Sequence, residues 1–318
     1  MGEPPPTGNP AARLTAWPPV PPAWPAPVAG RSARLAGPGC RPFRLPDRPR
    51  LPALAVVTGA ARGLGLAIAT ALHADGWPVL LTDVDATAVA AAAAPLGGWS
   101  RPLDVRDETA CAEVAAEATA RHGLGLWVNN AGILVTGPSW THDEATRRRV
   151  VEINALGAMT GTLAALGVMR EQGYGHVLNV VSLAGLVAAP GETVYAASKH
   201  ALIAFSLGTL ADLRAAGYRN LHISCLCPDG IWTPMLHDRL DDPGAVASFT
   251  GTLLTAERVA ARAVRLARRP RPVVSVPRWR GAQVRLLDAL PTLAVRLTPL
   301  VLAVGRAGQR RHRRQRQP

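Results

Sequence analysis

Residues 54–85 read LAVVTGAARGLGLAIATALHADGWPVLLTDVD. An apolar run opens the stretch and ends at Thr58. Three glycines follow, Gly59, Gly63 and Gly65, in the pattern TGxxxGxG. An alanine- and leucine-rich segment of helical period comes next, then a second apolar run that closes on an acid, Asp83. The order is strand, glycine turn, helix, strand. Glycine lets the backbone turn tightly and approach a pyrophosphate, and the helix behind it presents free N–H groups and a partial positive charge to that anion. A glycine triad alone is a weak signal. Between a strand and a helix, with an acid closing the next strand, it has the context that a dinucleotide site requires. The loop residues Gly59, Arg62, Gly63, Leu64 and Gly65 are therefore expected to hold a dinucleotide. Asp83 would accept hydrogen bonds from the adenine-ribose hydroxyls and repel a 2′-phosphate, which favours NAD. Arg62 could meet a phosphate, and keeps NADP as the alternative.

A second stretch carries the chemistry. Ser182 follows an apolar run, 176–181, that reads as a buried strand. Tyr195 and Lys199 lie beyond it at i and i+4. If a helix opens there, both side chains project from one face, a turn apart. A free phenol, with a pKa near ~10, is too weakly acidic to serve as a base at neutral pH. A neighbouring ammonium favours the phenolate and should lower that pKa, so that the phenol can pass a proton to or from an alcohol or carbonyl oxygen. A serine hydroxyl can hold the same oxygen. No side chain takes hydride, so the trio calls for a nicotinamide cofactor. Composition adds a hint: of 35 Lys plus Arg, one is lysine, Lys199. Arginine serves everywhere else, and the two are not equivalent where a compact ammonium must fit beside a phenol and a ribose. A surface helix pair is the plainer account of Tyr195 and Lys199 taken alone.

Outward from these stretches, strand and helix patterns alternate through 54–276, which predicts a single α/β domain with a doubly wound parallel sheet. A helix capped by Asp85, a short strand at 99–105, a helix over 107–122 and a strand entering Asn129–Gly132 follow in order. Small residues and amides at a strand end suit a wall against a flat cofactor, or an ordinary turn. Residues 142–173 read as one long helix with Asn154 in its apolar middle, where an amide either satisfies a backbone kink or joins a proton relay. A strand breaks at Pro228, and 229–252 reads as an irregular segment long enough for a mobile lid.

The net charge of +13 suggests nucleic acid until it is located. Residues 1–50 carry seven Arg against Glu3 and Asp47 (+5), residues 305–318 carry six Arg (+6), and the body keeps +2. That distribution argues against a nucleic-acid groove. Residues 1–50 are Pro/Arg-rich without apolar periodicity and are expected to be disordered. Cys40, Cys111, Cys225 and Cys227 show no metal-ligand spacing and read as thiols of a reducing cytoplasm, so neither metal site nor disulfide framework is expected.

Taken in order, Gly59, Gly63, Gly65, Asn129–Gly132, Asn154, Ser182, Tyr195 and Lys199 make the chain resemble the short-chain dehydrogenase/reductase family over about residues 54–277. The resemblance implies a Rossmann-like domain with about seven parallel strands. It implies a catalytic tetrad in which Tyr195 is the acid/base, Ser182 orients the substrate oxygen, Lys199 holds the nicotinamide ribose and Asn154 positions a relaying water. By the same matching, Asp104 and Val105 border the adenine, and Asn130, Ala131 and Gly132 line the cofactor. Pro228, Gly230, Ile231 and Thr233 would meet its nicotinamide end. The substrate pocket would offer Leu183, Val187, Ala188, Trp232, Met235 and Leu236 beside Ser182 and Tyr195, and so suit an apolar secondary alcohol or ketone. Pro228-Asp229-Gly230 departs from the family's usual adjacent Pro-Gly pair. Family precedent suggests a homodimer or homotetramer packed through helices at 142–173 and 193–217.

The domain is expected to span 51–280, with an extension at 281–318 that is apolar and then Arg-rich. Pro291 and Pro299 make it a poor membrane span. Packing on the domain, a subunit interface and peripheral membrane contact through the arginine run are all open. The competing functions are a dinucleotide-binding sensor or scaffold without catalysis, and a membrane-associated adaptor acting through basic tails.

Overall fold

Short apolar runs unbroken by charge, such as Leu54–Val57 and Val79–Leu81, suit strands covered on both faces, which is the condition of a parallel sheet between helical layers. The computed structural model describes residues 53–316; the Pro/Arg-rich segment at 1–50 and Cys40 lie outside them. Seven strands form one sheet: β1 (Leu54–Thr58), β2 (Val79–Asp83), β3 (Trp99–Pro102), β4 (Leu124–Asn129), β5 (Gly175–Val180), β6 (Leu221–Pro228) and β7 (Val273–Val276). Their order is β3-β2-β1-β4-β5-β6-β7, and every pairing is parallel. The order reverses between β1 and β4, so the chain leaves those two strands in opposite directions and opens a crevice at their carboxyl ends.

Helices α1 (Gly63–Ala74), α2 (Ala86–Ala93) and α8 (Ala256–Arg268) cover one face, where Ile68, Leu72, Val259 and Leu266 pack on Val57, Leu81 and Val128. Helices α3 (Glu108–His122), α5 (Ala158–Gln172) and α6 (Thr193–Ala215) cover the other, with Val114, Leu166, Met169 and Leu213 against Val56, Trp127 and Val177. Asp85 and Asp107 cap α2 and α3 by accepting from the amides of Ala88 and Ala110. Cys111, Cys225 and Cys227 are buried free thiols.

The long helix expected over 142–173 runs continuously through 144–172 but is widened in its middle. α4 (Glu144–Val151) and α5 are joined by a wide π turn, Glu152–Gly157. Two causes coincide there. Asn154 turns its amide to the backbone of Ile133, accepting from its N–H and donating to its carbonyl, both at 2.8 Å. A side chain at Gly157 would stand 2.7 Å from Val105, so this turn must pass close to another segment. π turns commonly mark such functional positions.

The segment 229–252 is not wholly irregular. It forms a short helix, α7 (Pro234–His237), and a 3-10 segment, Pro243–Phe249, that bury Leu236, Leu240, Ala245 and Phe249 together. The reason lies far along the chain. Beyond 277 run α9 (Arg278–Asp288) and α10 (Pro291–Arg316). Gly305 and Gly308 let α10 press on the carbonyls of Val246 and Phe249, and the Gln309 amide donates to the Asp242 carbonyl at 2.7 Å. α9 starts inside the domain expected to end at 280, and the arginine run continues α10.

Candidate active site

Every strand end that faces the crevice delivers a polar or small residue. At the end of β1, Gly59 has a φ of +62°, and a Cβ there would lie 2.7 Å from the Ala131 backbone. Gly65 sits beneath it: a Cβ would stand 2.1 Å from the Gly59 carbonyl oxygen. Asn130, at the end of β4, donates its side-chain amide to the carbonyls of Thr58 and Gly59, each at 3.0 Å, and so locks the two strand ends together. Asp83 ends β2 and accepts from the Ala61 amide at 3.1 Å. α1 has no side-chain cap and no acid in its first turn, whereas α2, α3, α4 and α8 are capped by Asp85, Asp107, Asp143 and Thr255. A bare helix N-terminus above two side-chain-free glycines, with a carboxylate at the next strand end, fits a dinucleotide's pyrophosphate and ribose.

This cradle is one end of a cavity of about 1050 Å³. All the residues expected to hold the cofactor line it except Gly65, which acts from below by leaving room for Gly59. Ser182, Leu183, Val187, Tyr195 and Met235, expected on the substrate side, line its other part. Trp232 does not. Its backbone N–H donates to the Leu254 carbonyl at 2.8 Å, and the Thr233 N–H donates to the Ile231 carbonyl at 2.9 Å, closing a tight turn over Trp232. Ile231 and Thr233 face the cavity, and Trp232 packs away from it against the rings of His237 and His312, at centroid distances of 4.0 and 5.5 Å.

Tyr195 and Lys199 project from the first two turns of α6, and the Lys199 Nζ lies 5.7 Å from the centre of the phenol ring. Nζ donates to the Val180 carbonyl at 3.1 Å. Ser182, just past β5, accepts from the Ala184 amide at 3.1 Å and hydrogen-bonds to the phenol. Asn154 is fully buried behind this wall, where it also donates to the Ser198 hydroxyl at 3.2 Å. A Cβ on Gly132 would stand 3.1 Å from Asn154 Oδ1 and 3.6 Å from Lys199 Nζ, so that glycine alone separates them. The side-chain amide thus bonds the Ile133 backbone and the start of α6.

The electrostatics differ from the sequence expectation. Burial pushes the Tyr195 phenol well above its ordinary value, the like charge of Glu192 adds to this, and the Ser182 hydrogen bond opposes it. Burial also lowers the Lys199 ammonium to about 8. Desolvation penalises the charged form of both groups and is the first cause of each shift.

Three features had little or no signal in sequence. Glu192, 4% exposed, lines the cavity one turn before Tyr195; burial raises its carboxyl to about 7, against the hydrogen bond it accepts from Ser248 at 2.6 Å. Asp229, the departure from the family pattern, is held by Arg280 Nε at 2.8 Å, and the same guanidinium reaches Thr250 at 3.0 Å and Gln283 at 2.7 Å. Val284, Leu287, Ala294, Leu297 and Val301 of α9 and α10 complete the apolar wall. Asp229 alone carried a sequence signal, as an acid where glycine was expected. Among the described residues no three metal-ligating side chains gather.

Residues 53–244 match the family model described as short chain dehydrogenase. Sex determination protein tasselseed-2 of Zea mays is 35% identical over 192 residues, which are 58% of this chain and 56% of that protein, so the chain spans little more than half of that relative's length. Cyclopentanol dehydrogenase of Comamonas sp. is 34% identical over 208 residues, 63% of this chain and 81% of the enzyme. Among solved structures, a short chain dehydrogenase/reductase from Burkholderia phymatum in complex with NAD superposes with a TM-score of 0.68 at 26% identity, covering 77% of this chain and 95% of that one.

Proposed function

The chain belongs to the short-chain dehydrogenase/reductase family of oxidoreductases, and from that premise we propose that it interconverts an apolar secondary alcohol and its ketone, with NAD as the redox partner. The observation that carries this reading is the meeting of Tyr195, Ser182 and Lys199 in the same cavity as the glycine cradle. Gly59, Gly63 and the open N-terminus of α1 would hold the pyrophosphate, and Asp83 the adenine ribose. When bound, the nicotinamide supplies or accepts the hydride. The remaining steps belong to the chain. Ser182 holds the substrate oxygen. Tyr195, kept neutral by burial, donates its proton to that oxygen in reduction and takes it back in oxidation. Lys199, beneath the ring, offers a cation that favours the phenolate at the moment of transfer. Asn154 is a positioning residue that fixes the wall around Gly132.

Asp83 supports NAD over NADP, and Arg62 in the glycine loop is the cation that could reverse the preference. An apolar substrate is supported by the cavity wall, and by the substrate named for the Comamonas enzyme. Self-association through α4, α5 and α6 is supported by Val151, Leu156, Leu163 and Leu207, which are large, apolar and exposed there.

The test is cofactor reduction followed by absorbance, with NAD and NADP in parallel across a panel of apolar secondary alcohols. Turnover with NAD that vanishes in Tyr195→Phe is the expected result. Tight NADH binding without turnover of any alcohol would favour the sensor; no binding of either cofactor would refute the cradle.

A further inference from the structure

Residues 291–304, PTLAVRLTPLVLAV, contain one charge, Arg296. This first half of α10 is apolar around its whole circumference, a pattern that belongs in an apolar environment on every side. The fold covers only one side. Ala294, Leu297 and Val301 face the substrate chamber. Leu293, Val295, Leu300 and Val304, together with Leu286 on α9 and Leu290 between the helices, are 46–73% exposed. Single exposed leucines are ordinary, but six such side chains on two consecutive helices form a patch.

The patch has a charged border. Residues 278–316 hold ten arginines and one acid, Asp288, a net charge of +9. Arg285, Arg296, Arg306, Arg310, Arg311 and Arg314 are exposed. Leucines beside guanidinium groups match the boundary of a bilayer, where acyl chains receive the first and anionic headgroups the second. A second copy of the chain fits this border poorly, because a twofold contact through the same patch would bring two arginine runs together.

The chamber opens at this patch. Val295, Leu300 and Val304 are exposed outside and also line the cavity within. The apolar wall of the chamber therefore continues into the apolar exterior through these three side chains. We propose that α9 and α10 seat the protein on an anionic lipid surface with the chamber mouth toward it, and that the substrate is a lipophilic alcohol or ketone drawn from the bilayer. The substrate half rests on the oxidoreductase reading above; the docking half does not. Contact is peripheral: the long apolar helical stretch at 144–172 is half buried against the sheet.

The experiment uses the full chain with two sets of vesicles, phosphatidylcholine alone and phosphatidylcholine with about one-third phosphatidylglycerol. Co-sedimentation with the anionic set, weak with the neutral set and reversed by salt, is expected. The double variant Leu290→Glu/Leu293→Glu alters exposed residues that do not line the chamber, and circular dichroism checks its fold. Its vesicle binding should fall by roughly fivefold or more. Its kcat/KM for 2-hexadecanol carried in anionic vesicles should fall with it, while turnover of 2-butanol in solution is unchanged. A chain that stays in the supernatant with anionic vesicles overturns the docking. So does a double variant that sediments like the parent, or one that only dissolves a dimer, which would make the patch a subunit interface. Vesicle binding with no alcohol oxidised by either protein would sink the oxidoreductase reading and leave the docking standing.

Discussion

The two ends of the cavity are built differently. The dinucleotide cradle is made of backbone and near-absent side chains: Gly59 and Gly65 approach their neighbours closely, and Asn130 ties two strand ends through main-chain carbonyls. The substrate end is made of side chains from segments far apart in sequence. Glu192 meets Ser248, Asp229 meets Arg280, and Gln309 meets the Asp242 carbonyl. A cradle for one fixed chemical group needs a fixed shape, and the backbone supplies it. A chamber for a particular substrate is shaped by whichever segments pack over it, and those can change without disturbing the cradle.

The comparison is tested hardest at the junction of the two ends. Tyr195→Phe should lower turnover by roughly 10³-fold, with NADH affinity unchanged, since it removes the proton donor and nothing of the cradle; fluorescence titration beside steady-state rates reads both. At the substrate end, Arg280→Met leaves the Asp229 carboxylate, 7% exposed, without its partner. A loss of about 3–4 kcal/mol in denaturant unfolding is expected, most of it recovered in Arg280→Met/Asp229→Asn. If the single variant is as stable as the parent, the tether between β6 and α9 has no energetic weight.

In the cradle, Gly65→Ala places a methyl against the Gly59 carbonyl and should weaken NADH binding at least tenfold, about 1.4 kcal/mol, without moving the chamber. Unchanged affinity would mean that the loop is not held as tightly as the backbone contacts imply. Glu192→Gln should act only at high pH. The folded carboxyl titrates at about 7, above its ordinary 4.5, so the fold prefers the protonated acid. Its contribution is complete below the ordinary value and is lost as pH rises through 7. The variant should therefore gain on the order of 3 kcal/mol over the parent near pH 8 and nothing near pH 4, read by thermal unfolding at each pH. Removing the like charge also lowers the phenol's pKa, so the pH profile of alcohol oxidation should shift to lower pH. A gain at both pH values would contradict the cause assigned to the shift.

The sequence by itself determined the parallel sheet, its flanking helices and the cradle. Those features rest on local terms: the period of apolar residues, the glycines at strand ends, and caps such as Asp85 and Asp107. It also placed Tyr195 and Lys199 on one helical face, because i and i+4 meet on any helix. The tertiary structure alone decided what depends on packing between distant segments. The π turn at Asn154 answers to Ile133 and Val105. Trp232 faces away, held by Leu254 through its backbone and packed on His237 and His312. The phenol is pushed up because burial penalises its charged form. The roof of the chamber comes from residues beyond 277, whose apolar pattern fits a packed helix, an interface or a lipid surface equally well until Gly305, Gly308 and Gln309 are seen against the carbonyls they meet. Periodicity is a property of one segment; burial and contact belong to pairs, and no single segment encodes its partner.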